Sequence, residues 1–588
     1  MTTTAKRNLV AQWAFDTRPV LLRFHLWLED VEVERAQAEP VSAHTFAPRG
    51  IARCLAMTSA ATALGTRLFG EYGAGAGRDK ASVNQVKKAA DAVSAYVMSE
   101  GLWHLTRTLP ENHALMVCLG EGLMPKVGET PEMGANPMLG FGRVYARPEL
   151  ARSVDRRVRR LLNEPGYTFE QFHDWLKSRG ITLWGAAVDT LENTSRFADG
   201  QPTGPMAVFH LFDSPLRLAR PYESYMGCLT VPARVAQAAE STSVLLDYRT
   251  PRKQVVEAIE AAYPGIRREN IHVWTLRGRS RIHRLGRLWD EWEKAGVHLV
   301  EDGWKAPSGL AVFTDSGTYA PTFLVGAWKD AGAAHVFLCD GYAATAEAVQ
   351  AASLADVLDV HSTMSLFSPT FELPVDVEGR LMQLDPTVQD FAQRLKTLVG
   401  SHDLEVGKVR AYAEAIHEAA ASNMPLGRAV LRADDFLPEK NWSVLASVGY
   451  ICEDPYTGAP GVTKVADNTY RVTTRLATRK ASSRVSFTLR LMEPFETTRQ
   501  VFSPLLVRFL SGVDHATRPV KISDSGRIRN ELQTMIPQAL EHDGDRIRVR
   551  FERINEMVLA RDKQERIRAV LRWYKANHPV WFEWLEVD

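Results

Sequence analysis

The sequence predicts an α/β protein with an open, parallel, Rossmann-like sheet at its core. From residue 241 onward, short apolar runs alternate with amphipathic segments at intervals of about 25 to 30 residues, the spacing of βαβ units. Within 308–349, two apolar runs each end on an aspartate, first Asp315 and then Asp340. A turn of small residues and a helical segment follow each aspartate. Ligands bind beyond the carboxyl ends of the strands in open α/β sheets, so a site is expected at this edge.

The predicted parallel core covers residues 241–374. Its expected parallel strands are 244–247, 271–276, 310–314 and 335–339. This arrangement places Asp247, Asp315 and Asp340 at one carboxyl edge. Thr250 stands at the N-cap position of the helix expected after the first strand, which supports the boundary between that strand and helix.

Three regions flank the core: a helical region at 1–112, a mixed α/β region at 113–240, and a C-terminal α+β region at 375–588. In the first region, apolar residues recur at helical intervals through 20–34, and further helices are expected at 49–69 and 82–105. In the last region, apolar and polar residues alternate between 442 and 492, which predicts an antiparallel sheet.

The middle region contains a Gly-rich loop at 120–142. Loops of this length are uncommon inside a compact domain, and its Met and Phe residues are unlike those of a disordered linker. We therefore expect the loop to be ordered and to contact the α/β core. The sequence leaves two roles open for it, a lid over a site and a structural cover.

The composition is that of a globular protein in water. The 588 residues are 45% hydrophobic and 24% charged, and 71 Lys and Arg balance 70 Asp and Glu. This balance favours neither a nucleic-acid partner nor an anionic membrane surface. No apolar run has the length of a membrane span, and the first residues lack the apolar segment of a secretory signal. We expect a cytoplasmic protein that binds no nucleic acid and no membrane.

Five cysteines are scattered along the chain without a C-x-x-C pair, which argues against a disulfide framework and a cysteine zinc site. Cys339 lies inside an apolar run and is expected to be a buried structural thiol. The sequence contains no G-x-S-x-G elbow and no H-E-x-x-H motif. His272, His298 and His335 fall at expected strand starts, away from the predicted site, and structural roles are expected for them.

The turns at the predicted carboxyl edge supply the candidate binding residues. The turn at 315–318 opens a helix, where unpaired N–H groups and the helix dipole favour an anion. Arginines in neighbouring turns can clamp the same phosphate or carboxylate. The candidate ligand-binding residues are Asp247, Arg249, Arg277, Arg279, Ser316, Gly317, Thr318, Gly341 and Tyr342.

Asp315 and Asp340 are also the candidate metal ligands and, with His361, the candidate catalytic residues. Mg²⁺ is typically held by one or two carboxylates together with phosphate oxygens of the substrate, and neighbouring strand ends would give two aspartates that spacing. Helix capping or turn formation is the alternative role for each aspartate. His361 follows the last apolar strand of the core, where it can act as an acid or base.

Two further segments carry unusual side chains. A helix expected to start at Pro148 contains an arginine run at 156–160, which can bind phosphates or an acidic partner, although such runs are commonly solvated helix faces. The segment 573–584 is rich in Trp, Tyr and Phe, which are enriched in interface cores. We expect this segment to lie at or near a homo-oligomer interface, with docking on the chain's own body as the alternative.

Together these features favour a soluble enzyme that acts on a small phosphorylated or carboxylated metabolite, such as a sugar phosphate or nucleotide, with Mg²⁺ as cofactor. The sequence does not determine the reaction type, for which phosphoryl transfer or hydrolysis fits best. The alternative is a non-catalytic metabolite sensor or an assembly subunit, because the same strand-end geometry serves binding without chemistry.

Overall fold

The computed structural model describes part of the chain and shows a mixed α/β protein. The described residues are 26–35, 51–120, 139, 142–164, 166–212, 225–248, 250–278, 281–306, 311–315, 319–353, 355–368, 444–454, 458–478, 482–491, 525–526, 528–529, 532–533, 539–554 and 561–588.

The strands, numbered along the chain, are β1 (Leu26–Arg35), β2 (His113–Leu119), β3 (Val144–Tyr145), β4 (Thr182–Glu192), β5 (Met206–Phe212), β6 (Tyr225–Pro232), β7 (Ile271–Trp274), β8 (His298–Leu299), β9 (Gly326–Asp330), β10 (Ala333–Ala344), β11 (Val360–Ser368), β12 (Val444–Tyr450), β13 (Val462–Ala466), β14 (Thr469–Thr478), β15 (Ser482–Leu491), β16 (Leu540–Asp543), β17 (Arg546–Val549) and β18 (Leu585–Val587). The α-helices are α1 (Ile51–Phe69), α2 (Lys80–Leu105), α3 (Pro148–Asn163), α4 (Phe169–Ser178), α5 (Thr194–Ala198), α6 (Ala233–Glu240), α7 (Arg252–Ala262), α8 (Ile282–Ala295), α9 (Tyr319–Thr322), α10 (Thr345–Ser353), α11 (Ala355–Leu358) and α12 (Arg561–Asn577).

The largest sheet of the described residues has nine strands in the order β1-β15-β14-β12-β5-β4-β2-β3, with β13 paired to β14. Its neighbours are antiparallel except for β2 and β4, which run parallel. The predicted antiparallel strands between 442 and 492 are therefore present, but they extend this sheet. The sheet also takes strands from the chain regions 1–112 and 113–240, so these regions share one structural layer.

Strand β4, in the middle of this largest sheet, is buried on both faces. Trp184, Ala186 and Val188 of β4 pack into a core with α1 and α2, whereas Leu183 and Ala187 pack into a second core with α3, α4 and α10. The alternation follows from the two-residue period of a strand. A strand covered on both sides must be apolar along almost its whole length.

Helix α1 packs unusually close to the sheet because its residues are small. The buried hydroxyls of Ser59, Thr62 and Thr66 each donate to the carbonyl four residues earlier, at 3.0, 2.7 and 2.7 Å. These bonds satisfy polar groups that would otherwise be costly to bury. Gly449 of β12 completes the contact, since a Cβ at this position would lie 2.2 Å from the Ser59 carbonyl oxygen.

Strand β1 corrects the helix expected through 20–34. In the described part, Val31 and Val33 alternate with Glu32 and Glu34, which is the period of a strand. Antiparallel pairing with β15 stabilises this conformation. The helices expected at 49–69 and 82–105 are confirmed as α1 and α2.

The second sheet has the order β11-β6-β10-β7-β8, with β9 on β10. Strand β7 is parallel to β10 and to β8, so two of the four predicted parallel strands are neighbours as expected. However, β6 pairs antiparallel with β10 and β11, and β9 pairs antiparallel with β10. The wholly parallel, Rossmann-like core is therefore not confirmed, and the sheet is mixed.

The other two predicted strands are wrong, because 244–247 and the described residues 311–314 give their backbone groups to nearby turns and side chains instead of a sheet. The Thr250 hydroxyl accepts from the Asp247 N–H at 2.9 Å and folds that segment into a turn. In the second segment, Trp274 Nε1 donates to the Phe313 carbonyl at 2.9 Å, and Asp302 accepts from the Thr314 N–H at 3.1 Å.

The C-terminal residues form a third sheet in the order β16-β17-β18, covered by α12. Tyr574 and Phe582 are buried in this core, and Trp573, Trp581 and Trp584 pack against it. The aromatic segment 573–584 thus docks on the chain's own body, the alternative considered above. The homo-oligomer remains a prediction.

None of the described helices has the length and apolar character needed to cross a membrane.

The close contact between α1 and β12 predicts the effect of adding one methyl group. In Gly449→Ala, the new Cβ would clash with Ser59 and Ala63, so we expect a loss of about 1 to 3 kcal/mol in the free energy of unfolding. Urea denaturation measures this loss. Gly326→Ala on β9 is the control, because its nearest neighbouring atom would lie 4.0 Å away. Equal stability of Gly449→Ala and the native chain would contradict the predicted clash.

Candidate functional site

Asp340 lies inside β10, not at a strand end. The strand continues to Ala344 because β6 supplies antiparallel partners for residues 339–344. Asp340 is fully buried and accepts two bonds from Arg252, Nε to Oδ2 and Nη2 to Oδ1, both 2.8 Å. Trp292 Nε1 donates a third bond at 2.7 Å. Three protein donors thus hold the Asp340 carboxylate within the core of the second sheet.

The Arg252–Asp340 pair shows how a full charge is kept inside the protein. Burial raises the pKa of Asp340, and the Arg252 charge opposes that rise. Burial alone would lower the pKa of Arg252, but the adjacent carboxylate outweighs burial and raises it. Taking two ions out of water costs several kcal/mol each, and the bidentate contact offsets that cost.

Asp247 and His361 lie near each other. Asp247 is buried in the turn that precedes α7, the helix whose first residue is Arg252. His361 is the second residue of β11, and its Nε2 is 3.4 Å from the carbonyl oxygen of Leu246, the residue before Asp247. Asp340 and Gly341 are on β10, and β6 lies between β10 and β11. The strand order therefore places His361 two strands away from Asp340.

Asp315 has a separate position. Arg196 of α5 donates from Nε to Asp315 at 2.8 Å and from Nη2 to Asp302 at 2.6 Å. The Arg196 guanidinium also lies over the Phe313 ring, 3.9 Å from its centroid. Arg277 is adjacent, since its backbone N–H donates to the Thr314 carbonyl at 2.8 Å. Asp315 is 38% exposed, so this turn reaches the surface.

Several of the binding residues predicted from the sequence lie outside the described part of the chain. Arg249, Arg279, Ser316, Gly317 and Thr318 lie outside the described residues, as does the side chain of Tyr342. Their roles in binding an anion remain predictions.

Most of the Gly-rich loop also lies outside the described residues. Leu139 is described and is buried in the core between the largest sheet and α1 and α2.

Three carboxylates that sequence reasoning missed converge at the carboxyl end of β4. Oxygens of Asp189, Glu192 and Glu347 all lie within 4.8 Å of one another. Asp189 and Glu192 are buried, with 1% and 9% of their surface exposed. Among the described residues, this is the only group of three or more acidic, His or Cys side chains with such a spacing. We call it the acidic triad.

A bulge in β4 brings the two strand residues of the triad together. Residues three apart normally face opposite sides of a strand. The pairing of β4 with β5 shifts between Asp189, which faces Val208, and Glu192, which faces Met206, so three steps on β4 match two on β5. Such bulges turn a side chain to a new direction. Glu347, in the first turn of α10, lies beside Asp189 and Glu192, because α10 packs against β4.

The triad has the geometry and chemistry of a site for a hard cation. Ligand atoms around an ion with metal–oxygen distances of about 2.0 to 2.6 Å lie at most about 5 Å apart, so one Mg²⁺ or Ca²⁺ can contact all three carboxylates. The nearby backbone supports it, because Asp189 Oδ1 accepts from the Leu191 N–H at 3.0 Å. A signal was present in the sequence, since Asp189 ends an apolar run as Asp315 does.

Two members of the acidic triad, Asp189 and Glu192, lie with Arg196 on one short segment, 189–196. Asn193, between Glu192 and Arg196, has a left-handed backbone with φ 63° and precedes α5, so it turns the chain from strand to helix. The turn at Asp315 is therefore linked through Arg196 to the end of β4.

The cysteines do not supply a nucleophile. All five are buried, as expected for Cys339. Burial raises the pKa of Cys54 to about 12, and it also raises the pKa values of Cys228, Cys339 and Cys452. A thiol with a raised pKa is a weak nucleophile at neutral pH.

Three histidines form a chain across the starts of neighbouring strands. His272 Nδ1 is 2.8 Å from His298 Nδ1, and His272 Nε2 is 3.0 Å from His335 Nδ1. Trp304 and Trp328 pack on the His272 ring. Burial, together with the neighbouring imidazoles, lowers the pKa of His272 to about 4. Neutral imidazoles can satisfy both contacts, because each has one donor and one acceptor nitrogen.

The sequence matches no known protein family, and no curated protein is similar to it.

The buried ion pair predicts a large effect of removing one charge. Asp340→Asn leaves Arg252 buried without a counter-charge, so we expect a loss of about 3 to 5 kcal/mol in the free energy of unfolding. Asp315→Asn is the matched control, because its partly exposed pair should contribute about 1 kcal/mol or less. Urea denaturation compares the two. Similar small losses in both variants would contradict a structural role for Asp340.

The histidine chain predicts a pH-dependent stability. The folded pKa of His272, about 4, is below its ordinary value of 6.5. Its contribution is therefore complete above pH 6.5 and is lost as the pH falls towards 4, because the unfolded chain binds the proton more readily. The His272→Phe variant lacks this titration. Between pH 6.5 and pH 4 we therefore expect its free energy of unfolding to fall by about 2 kcal/mol less than that of the native chain, after allowance for the partial exposure of His272.

Urea midpoints between pH 7 and pH 4 test this expectation. His542→Phe is the control, because His542 is exposed. Parallel pH curves for His272→Phe and the native chain would show that His272 does not titrate in this range.

Proposed function

We propose that this chain is an enzyme that uses a divalent cation, with Mg²⁺ as the expected ion, to act on a small phosphorylated or carboxylated metabolite. The acidic triad is the proposed metal site. The observation that carries the proposal is the convergence of three carboxylates, two of them buried, within 4.8 Å at the carboxyl end of β4. Like charges this close repel, and a divalent cation relieves that repulsion.

Asp315 and Asp340, the two metal ligands predicted from the sequence, make a poor metal site. Both oxygens of Asp340 are bonded to Arg252, and Asp315 is bonded to Arg196. A cation at either aspartate would have to displace a guanidinium and leave that positive charge without its partner. At the buried Asp340 this exchange would be especially costly.

A cation in the triad explains how an acidic site can take an anionic substrate. Three carboxylates occupy three of the about six coordination positions of Mg²⁺, and water or substrate oxygens fill the others. The metal would then bridge the protein and the phosphate or carboxylate of the metabolite. The turn at Asp315, with Arg277 beside it, is bonded to Arg196 at the end of the segment 189–196 and offers further polar contacts.

Hydrolysis or phosphoryl transfer is the proposed reaction class. A divalent cation stabilises charge that develops on a phosphoryl or carbonyl oxygen and makes bound water more acidic. These roles need no protein nucleophile, in agreement with five buried cysteines. His361 remains a candidate acid or base, positioned on β11 near Leu246.

Metal binding to the purified full chain tests the proposed site. We expect Mn²⁺ and Mg²⁺ to bind by calorimetry and to raise the melting temperature by mass action. Glu192→Gln and Glu347→Gln should each weaken binding by about tenfold or more, since each removes a charged ligand. Asp199→Asn is the control, because Asp199 is exposed just after α5 and lies outside the triad. Unchanged affinity in both Gln variants would refute the metal site.

A panel of sugar phosphates, nucleotides and carboxylic acids then tests the reaction. Turnover that requires Mg²⁺ and is lost in Glu192→Gln would support the enzyme. Metal-dependent binding without turnover of any compound that binds would favour the sensor instead.

A further inference from the structure

Helix α3 has two faces of opposite character. Its residues Ala151, Val154 and Val158 are buried in the core beneath the largest sheet. Ser153, Arg156, Arg157 and Arg160 follow the spacing i, i+3, i+4 and i+7, which places them together on another face. The arginine run noted in the sequence is therefore concentrated in one stripe.

This stripe lines a cleft of ≈ 690 Å³. The cleft residues are Ser153, Arg156, Arg157, Arg160, Trp175, Arg179 and Ile181. Trp175 and Arg179 lie four residues apart at the end of α4, whose start is fixed by a capping box between Thr168 and Gln171. Two helices thus present four guanidinium groups to one space, and no carboxylate belongs to its lining.

The four guanidinium groups of the cleft share one nearby carboxylate, that of Glu164. Arg160 pairs with Glu164 through bonds of 2.5 and 2.8 Å. Glu164 also interacts electrostatically with Arg157, which lies over the Trp175 ring at 5.1 Å. Among the described residues, no carboxylate pairs with Arg156 or Arg179. Arginines crowded in this way repel one another, so an anion in the cleft would stabilise the arrangement.

We propose that this cleft binds a small molecule that carries two or more linked phosphate groups. Four arginines less the one Glu164 carboxylate leave three positive charges, which match the charge of two phosphates better than one, since a single phosphate monoester carries about −1.5 to −2. Guanidinium groups bind phosphate oxygens in bidentate fashion. The volume lies within the range of about 300 to 1,000 Å³ usual for small-molecule sites. This site is independent of the acidic triad, which has the opposite charge.

Calorimetry of the full chain in EDTA tests the proposal without metal at the triad. Tripolyphosphate and ATP are the probes, and inorganic phosphate and AMP are the single-phosphate comparisons. We expect both probes to bind, with the comparisons at least about tenfold weaker, and added salt to weaken binding. Equal affinity for the two probes would identify the phosphate chain alone as the ligand, whereas tighter ATP binding would identify a nucleotide.

The double variant Arg156→Gln/Arg179→Gln should lower the affinity for tripolyphosphate by about tenfold or more. Arg152→Gln is the matched control, because Arg152 is on α3, pairs with Glu149 and lies outside the cleft lining. Both changed arginines are exposed, so the fold should be kept, as circular dichroism would show. No binding of either probe, unchanged affinity in the double variant, or binding only of single-stranded oligonucleotides would overturn the proposal.

Discussion

The burial of β4 on both faces constrains where this protein can place polar groups. Residues 183–188 of the strand pack against α1 and α2 on one side and against α3, α4 and α10 on the other. A charge in that stretch would lose its hydration and find no partner, at a cost of several kcal/mol. Acidic side chains on β4 are therefore confined to its carboxyl end, where Asp189 and Glu192 meet Glu347 of α10.

Asp340 and Asp315 show two further ways in which the protein accommodates a carboxylate. Asp340 is fully buried within β10, and it remains compatible with the core because Arg252 and Trp292 donate to its oxygens. Asp315, in a partly exposed turn, pairs with Arg196. Both aspartates are thus engaged by arginines, and a cation at either place would compete with a guanidinium group.

These contacts also explain which parts could be predicted from the sequence. The helices α1, α2 and α3 and the parallel pairing of β7 with β10 follow local periodicity and capping, and they were predicted correctly. Asp340 resembled a strand end because it interrupts an apolar run, but its partner Arg252 is 88 residues away. Glu347 likewise meets Asp189 only through the packing of α10 on β4. Contacts of this range depend on the tertiary fold and leave no local pattern.

The bulge in β4 is the local feature on which the proposed metal site depends. In a regular strand, Asp189 and Glu192 would point to opposite faces, and one of them would enter an apolar core. The register shift against β5 removes that conflict and directs both acids towards α10. It occurs at the last residues of the strand, where few ladder bonds remain to be lost. The bulge therefore accounts for how three carboxylates meet at the end of β4, and the proposed metal-binding measurement decides whether a cation binds between them.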